Sequence, residues 1–505
     1  MNRTKKFMYN TVASIFQQIV VFAVGMILPR VIITCYGSEI NGITSSIRQF
    51  INYFTLVEAG IGASAIFALY KPLAKEDHAA ISSIVTAAKK FYNHAGYFFT
   101  VLTVILAFCF PLIRKTETLS TFQLGILVLV LGAQGFLNFF LLSKYNVILT
   151  ADQKSYIIAI AMSVSTIIST GIIVGLAYLH IDVVLARALS LCSLLAQTLI
   201  LYFYVHKKYQ YLDYHAVPDN SAMNQRWDAL YLQILGVVQS GAPVILATIF
   251  LNYKEVSVYT IFYMVIGGLN GLLNIFTSGL SASFGDVIAR GEKETLQRTY
   301  QQFEFTYYAL VTLIYACAFV LIMPFVRIYT SGITDANYNV PLVGYLMVLN
   351  GYLYNMKTPQ GMMVISAGLY RETRWQTTTQ AVILLVAGAA LAPKYGLPGI
   401  LLGSILSNAY RDIDLLFFIP EHVTRLSPKL TIKRWVNSLL EFAVITIPFF
   451  SFFTVQASNF LVWIKWGVLL LGYSAAIIFL LSWFFDRQEL KSSSALILKM
   501  IGVKK

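Results

Sequence analysis

Long apolar runs alternate with short polar connections along the whole chain. A helix needs roughly 20 apolar residues to cross about 30 Å of hydrocarbon, and fourteen runs of about that length can be marked in the sequence. They occupy residues 12–34, 42–69, 91–113, 122–143, 156–179, 183–205, 229–252, 257–285, 303–326, 342–366, 375–392, 398–419, 435–454 and 461–484. The pattern predicts an all-α polytopic membrane protein with about fourteen transmembrane helices.

Lysine and arginine are distributed unevenly between the two sets of connections. With the N-terminus inside, the connections on that side contain 26 Lys and Arg residues, and those on the opposite side contain five. Cationic loops remain on the cytoplasmic side of a membrane. The sequence therefore predicts a multi-pass protein of the cytoplasmic (inner) membrane with both termini in the cytoplasm.

Composition narrows the class of protein further. The 505 residues are 57% hydrophobic and only 12% charged, about half the charged fraction of a soluble domain. The cationic excess, 37 Lys and Arg against 23 Asp and Glu, orients loops or meets anionic lipid and does not indicate nucleic-acid binding. The sequence contains no GxxxxGK[ST] loop, no HExxH and no Cys-His cluster. We therefore expect a membrane transporter, not an enzyme, without cofactor or metal, driven by a gradient or by the membrane potential.

An internal repeat is visible as two similar stretches. Residues 51–77 contain GIGAS and residues 272–294 contain GLSAS, at an offset that also places Lys71 on Arg290. Parallel repeats of six helices with a cavity between them are a transporter architecture. The repeat predicts two pseudo-symmetric six-helix lobes followed by two C-terminal helices. The predicted domains are an N-lobe at 1–210, a C-lobe at 211–425, and helices 13 and 14 with a cytoplasmic tail at 426–505.

A glutamate lies inside the second apolar run. Glu58 is followed by the small residues Gly60, Gly62 and Ser64, which allow helices to approach closely in lipid. Carboxylates in membrane helices are rare and usually face a partner or water. Glu58 is therefore either a hydrogen-bonded structural carboxylate or a site of proton coupling.

Six cations lie within the predicted spans: Arg30, Arg48, Arg187, Lys357, Arg411 and Lys465. Arg187 and Lys465 lie near the outer ends, and we interpret them as side chains that extend to the interface. Arg30 follows Pro29, which would break the helix, so both an interfacial and a cavity role are open for it.

Arg48, Lys357 and Arg411 lie among polar residues at helical spacing. Their companions are Asn52 and Thr55 for Arg48; Asn350, Tyr354 and Gln360 for Lys357; and Ser404, Ser407 and Asp414 for Arg411. Polar stripes on membrane helices face a bundle interior or water. The three cations predict a path for an anion such as phosphate or pyrophosphate. For Arg411, a structural ion pair with Asp412 or Asp414 is the alternative.

The stretch LVEAGIGASAIFALYKPLAKED, followed by KKFYNHAGYFF and preceded by YGSEINGITSSIRQFINYFTL, resembles the Wzx-type polysaccharide flippases. These belong to the multidrug/oligosaccharidyl-lipid/polysaccharide (MOP) exporter superfamily. The resemblance implies alternating access through a cationic central cavity, mapped here onto Arg48, Lys357 and Arg411, with Arg30 as a further candidate. It implies an undecaprenyl-diphosphate-linked oligosaccharide repeat unit as substrate, moved from the inner to the outer leaflet for O-antigen lipopolysaccharide, capsule or exopolysaccharide. Candidate partners are a polysaccharide polymerase, a chain-length regulator and membrane lipids.

Three alternatives remain open. Multidrug antiporters of the MATE type export small cations and generally rely on acidic cavity residues, whereas this chain has more cations than anions at depth. Peptidoglycan-precursor flippases also have fourteen helices and a cationic cavity, but their usual motif at the end of the second span differs from GIGASAIFALYKP. A scaffold for a glycan polymerase would gain nothing from buried cations.

Overall fold

Helices make up most of the residues that the computed structural model of the protein describes. The described residues are 3–58, 60–219, 226–277, 280–451, 455–487 and 489–491, and no strand occurs within them. Ala59, Gly279 and residues 492–505 of the predicted tail lie outside the described residues. The prediction of an all-α protein is confirmed.

The chain separates into two compact units, Met1–Ser257 and Val258–Lys505. The helices of unit 1 are α1 (Arg3–Tyr36), α2 (Ser38–Phe54), α3 (Ile61–Lys75), α4 (His78–Ile113), α5 (Thr121–Leu137), α6 (Ser143–Ala151), α7 (Ser155–Tyr178), α8 (Val183–Ser190), α9 (Ser193–Lys208) and α10 (Arg226–Phe250). Helix α11 (Tyr253–Thr277) begins in unit 1 and continues into unit 2. The predicted domain limits at residues 210 and 425 stay predictions.

Unit 2 continues with eight further helices. They are α12 (Leu280–Ala289), α13 (Lys293–Tyr329), α14 (Pro341–Met356), α15 (Thr358–Ser366), α16 (Arg374–Tyr395), α17 (Leu397–Ile419), α18 (Pro428–Ser451) and α19 (Phe460–Phe485). Polar residues directly before apolar runs start several helices in both units. The Asp77 carboxylate accepts a hydrogen bond from Ala80 N, and the Asn459 side chain accepts one from Val462 N. Each bond satisfies a backbone donor that the first helical turn leaves free.

Within the described residues, ten helical segments are long and apolar enough to cross a membrane. They begin at Met8, Ser38, His78, Thr121, Ser155, Val183, Tyr253, Lys293, Arg374 and Phe460. The other four predicted spans fall on shorter, interrupted or more charged helices: α10, the pair α14 and α15, α17, and α18. The multi-pass membrane class is confirmed, and the total of fourteen stays a prediction.

The order of elements in the first half recurs in the second. A broken pair, α2 and α3, precedes the 36-residue helix α4, and the pair α11 and α12 precedes the 37-residue helix α13. Helix α7 then has its counterpart in α16. The repeated order agrees with the two pseudo-symmetric lobes that the sequence predicts.

A polar cluster fastens the start of α1 to the connection between α6 and α7. Lys6 donates hydrogen bonds to a carboxylate oxygen (2.8 Å) and the carbonyl oxygen (2.9 Å) of Asp152. Lys154 Nζ lies 2.5 Å from the other carboxylate oxygen, which accepts a hydrogen bond from the Tyr209 hydroxyl at 2.6 Å. Partial burial raises the pKa of Asp152, but the hydrogen bonds from Lys154, Lys6 and Tyr209 outweigh it and hold the pKa below its usual range.

Asp152→Asn is expected to lower the free energy of unfolding by about 1–2 kcal/mol near neutral pH, because charge-assisted hydrogen bonds are lost. The pKa of Asp152 is lower in the folded than in the unfolded protein, where it is about 3.9. Its stabilisation is therefore present above that pH and disappears as the pH falls through the folded-state value. Melting temperatures of the two proteins in detergent should converge in acid.

The matched control for this prediction is Asp286→Asn. Asp286 forms an ion pair of 3.0 Å with Arg290, and both side chains are about two-thirds exposed. An exposed pair contributes little to stability, so the control should melt close to the parent protein at every pH. A melting difference for Asp152→Asn that stays constant into acid would contradict the linkage.

Candidate functional site

Helix α2 buries one face and exposes a charged one. Its buried face is made mainly of small polar and branched apolar residues: Ser38, Ile40, Asn41, Gly42, Ile43, Thr44, Ser46, Ile47 and Ile51. Arg48 and Asn52 are exposed on the other face. Arg48 has no hydrogen-bond or ion-pair partner among the described residues. Because lipid cannot solvate a guanidinium, this face of α2 must border water.

The second predicted span is broken where the glutamate lies. Glu58 ends a 3-10 turn after α2, and Gly60 has φ of 84°, a left-handed conformation that glycine adopts without a steric penalty. Glu58 is half-buried, and Tyr92 of α4 is an ionisable neighbour within its electrostatic range. A methyl group at Gly62 would lie 2.8 Å from the Tyr92 hydroxyl. The glycine at 62 thus allows α3 to approach α4 beside Glu58.

In unit 2, Lys357 lies at the break between α14 and α15. Its ammonium donates a hydrogen bond to Asn408 Oδ1 at 2.5 Å and lies 4.8 Å from the centre of the Tyr354 ring. Asn408 in turn donates to Asn350 Oδ1 at 2.9 Å. Lys357 forms no salt bridge in the described part of the chain. A neutral amide and an aromatic face therefore position the ammonium, and no direct ion pair has to be broken before it binds an anion.

Arg411 is held differently from Lys357. It forms an ion pair with Asp414, one of the two carboxylates that the sequence suggested as its partner. Both side chains are largely buried. The neighbouring Asp412 is 4% exposed, its Oδ1 has no hydrogen-bond partner among the described residues, and it lies within electrostatic range of Lys357. A role of Arg411 in substrate binding stays a prediction.

The remaining predicted cations divide into three cases. Helix α1 runs through Pro29 to Tyr36, so the expected helix break before Arg30 is wrong; Arg30 itself is half-buried. Lys465 is exposed on α19, in agreement with an interfacial side chain. Arg187 is 4% exposed, so the interpretation that it extends to the interface is wrong.

The sequence analysis missed a buried carboxylate, Glu304, about three turns into α13. Glu304 Oε1 accepts hydrogen bonds from Tyr300, Tyr308, Gln360 and Thr431 at 2.9–3.4 Å. Its Oε2 lies 2.5 Å from the Arg434 guanidinium, and both side chains are at most 2% exposed. The network joins α13, α15 and α18, which makes it a structural hub. Its only sequence signal is a glutamate followed by tyrosines at the edge of an apolar run.

Solved membrane transporters share this fold. The chain superimposes on "Lipid II flippase MurJ, inward closed conformation" with a TM-score of 0.70, 14% identity, and coverage of 95% of this chain and 99% of that chain. It superimposes on an inward-facing multidrug resistance MATE family transporter of the MOP superfamily with a TM-score of 0.58, 15% identity, and coverage of 84% and 96%. A Vibrio cholerae MATE transporter, VcmN, gives 0.57 and 14%, with coverage of 85% and 98%.

Sequence comparisons add nothing to this structural likeness. No protein-family profile matches the chain, and no curated protein matches it in sequence. At these identities the structural likeness establishes the fold alone, which is that of the MurJ and MATE transporters.

Proposed function

We propose that this chain is a flippase that moves a lipid-diphosphate-linked oligosaccharide repeat unit from the inner to the outer leaflet of the cytoplasmic membrane. The repeat unit serves the synthesis of a surface polysaccharide, and transport proceeds by alternating access. Both termini lie in the cytoplasm. The cations that meet the diphosphate along its path are Arg48 and Arg30 of unit 1 and Lys357 and Arg411 of unit 2.

One observation carries this proposal: cations within membrane helices that lack a carboxylate partner. Arg48 stands on the exposed face of α2, and Lys357 is held by Asn408, with no salt bridge to either in the described residues. Exposing unpaired charges at membrane depth costs several kcal/mol. Such charges are retained where an anionic ligand supplies the missing partner.

A second candidate is the flipping of a peptidoglycan precursor. The likeness to the lipid II flippase MurJ, over 95% of this chain, favours it. Lipid II and a repeat unit share the lipid and the diphosphate and differ in their sugars, so the cations described above suit both. Export of small cationic drugs, as in MATE transporters, fits the same fold but not the unpaired cations.

The membrane potential supplies the main driving force. A diphosphate diester carries about two negative charges, and the potential contributes about 2.3 kcal/mol per charge per 100 mV, so outward movement is favoured by about 4–5 kcal/mol. Glu58 adds a secondary proton step at the break between α2 and α3. Its replacement by glutamine should alter the pH dependence of transport more than the voltage dependence.

The test uses the full chain reconstituted into vesicles with three fluorescent probes: a lipid-linked repeat unit, lipid II and ethidium. Translocation is measured as the fraction of probe that becomes accessible to a membrane-impermeant reductant. We expect the repeat unit to be flipped, and flipped faster when the donor side is made negative. Transport of lipid II alone would establish the second candidate. Transport of ethidium alone would refute both.

A further inference from the structure

Arg187 is a buried cation without an ion-pair partner among the described residues. It belongs to α8, which Asp182 caps by accepting hydrogen bonds from Val184 N (2.8 Å) and Leu185 N (3.3 Å) and which packs on α5 and α7. The side chain is 4% exposed, and its Nε and Nη1 have no hydrogen-bond partner among the described residues. A buried, unpaired charge costs several kcal/mol. Natural structures rarely retain such a group without a function.

The ionisable neighbours of Arg187 do not neutralise it. Arg48 of α2 and Tyr36 at the end of α1 are the groups within its electrostatic range. Arg48 has the same sign, and the Tyr36 hydroxyl donates a hydrogen bond to Ile181 O at 2.7 Å. The Asp182 carboxylate caps α8 and forms no salt bridge with Arg187. Helix α5 packs against both α2 and α8, so the two arginines lie on helices that share a neighbour, and no described acid forms an ion pair with either of them.

We propose that Arg187 and Arg48 form an anion-binding site in unit 1 that accepts a phosphate or carboxylate group. The proposal rests on the flippase function above. It extends that function because Arg187 lies in the outer part of its predicted span and therefore adds an anion-binding residue near the outer surface. In that function the anion is either the diphosphate or an acidic sugar of the same substrate. Arginine suits this site because its guanidinium is always charged and presents several donors in a fixed plane.

The buried donors become available through a movement of α8. The predicted span 183–205 is interrupted at Leu191 and Cys192, where α8 ends and α9 begins. The joint is held by hydrogen bonds from Leu191 N to Ala188 O and from Cys192 N to Leu189 O, an i→i+3 pattern that often marks a hinge within a helix, and we place the shift of α8 there. Such a shift would expose Nε and Nη1 next to Arg48.

Thermal unfolding of the purified full chain in detergent tests the site. The probes are inorganic pyrophosphate for the diphosphate and glucuronate for an acidic sugar, and the variants are Arg187→Met and Arg187→Lys. Without anion, Arg187→Met should melt at or above the temperature of the parent protein, because an uncompensated buried charge is removed. With anion, its apparent Kd should be at least about tenfold weaker than that of the parent protein. Arg187→Lys should fall between the two.

Lys465→Met is the matched control, since it removes an exposed cation of α19, and it should bind both probes as the parent protein does. Stabilisation by pyrophosphate alone identifies the diphosphate as the occupant, and stabilisation by glucuronate alone identifies the acidic sugar. The proposal is overturned if neither probe stabilises the parent protein, or if Arg187→Met melts lower without anion and binds the probes unchanged. Arginine-dependent binding without flipping of the lipid-linked probe would refute the flippase function and leave the anion site intact.

Discussion

Lys357→Ala is expected to reduce the translocation rate about 10- to 150-fold, the equivalent of the ~1.5–3 kcal/mol of a hydrogen bond to a charged group. The lysine is fixed at a helix break by Asn408 and Tyr354, and the nearby Arg411 is engaged in an ion pair with Asp414, so it does not replace the lost ammonium. Lys357→Arg should retain part of the activity, since charge matters more than fork geometry for a mobile diphosphate. The initial rate of probe translocation in reconstituted vesicles measures both effects.

A double variant separates the role of Lys357 in substrate binding from its effect on folding. Removing Lys357 also removes the cation near the buried Asp412, and this alone could lower the amount of folded protein. In the double variant Lys357→Ala/Asp412→Asn the lone buried charge is gone, so folding should recover while translocation stays low. Recovery of translocation in the double variant would show that Lys357 only neutralises Asp412.

Arg434→Met is expected to destabilise the protein by about 3–5 kcal/mol, because removing one partner of a buried ion pair leaves the other charge uncompensated. Glu304 would retain hydrogen bonds from Tyr300, Tyr308, Gln360 and Thr431, which do not replace the lost positive charge. Thermal or denaturant unfolding in detergent, followed by circular dichroism, gives the change.

The double variant Glu304→Gln/Arg434→Met is the comparison for the single variant Arg434→Met. It removes both charges, so most of the lost stability should return, as replacing a whole buried pair is often nearly neutral. Equal instability of the single and double variants would mean that Arg434 acts through Glu489, to which it also donates a hydrogen bond at 3.0 Å. Translocation by the stable double variant should be close to that of the parent protein.

The sequence was sufficient to predict a helical membrane protein, because apolar runs of about 20 residues form few structures other than transmembrane helices. It also predicted the polar stripe of α2, since Arg48 and Asn52 are one helical turn apart. It did not predict that Pro29 leaves α1 unbroken. Proline is tolerated within membrane helices where surrounding groups satisfy the freed backbone, and local sequence does not reveal these surroundings.

Contacts between helices could not be predicted from the sequence. Lys357 and Asn408 are 51 positions apart, and Glu304 and Arg434 are 130 apart. A single amino-acid sequence carries no signal that connects such positions. The misinterpretation of Arg187 has the same origin, because its depth in the span suggested an interfacial side chain while tertiary packing on α5 and α7 buried it.

Because α13 is long, a small tilt of this helix displaces its far end by a large distance. Its 37 residues extend about 55 Å, well beyond about 30 Å of hydrocarbon. A tilt of about 10° around one end of such a rod displaces the other end by about 10 Å. The Glu304 hub fastens α18 to this rod, and α19 packs along it. A small rearrangement at one membrane surface would thus be amplified into a large displacement at the other, and the two C-terminal helices would be carried with it.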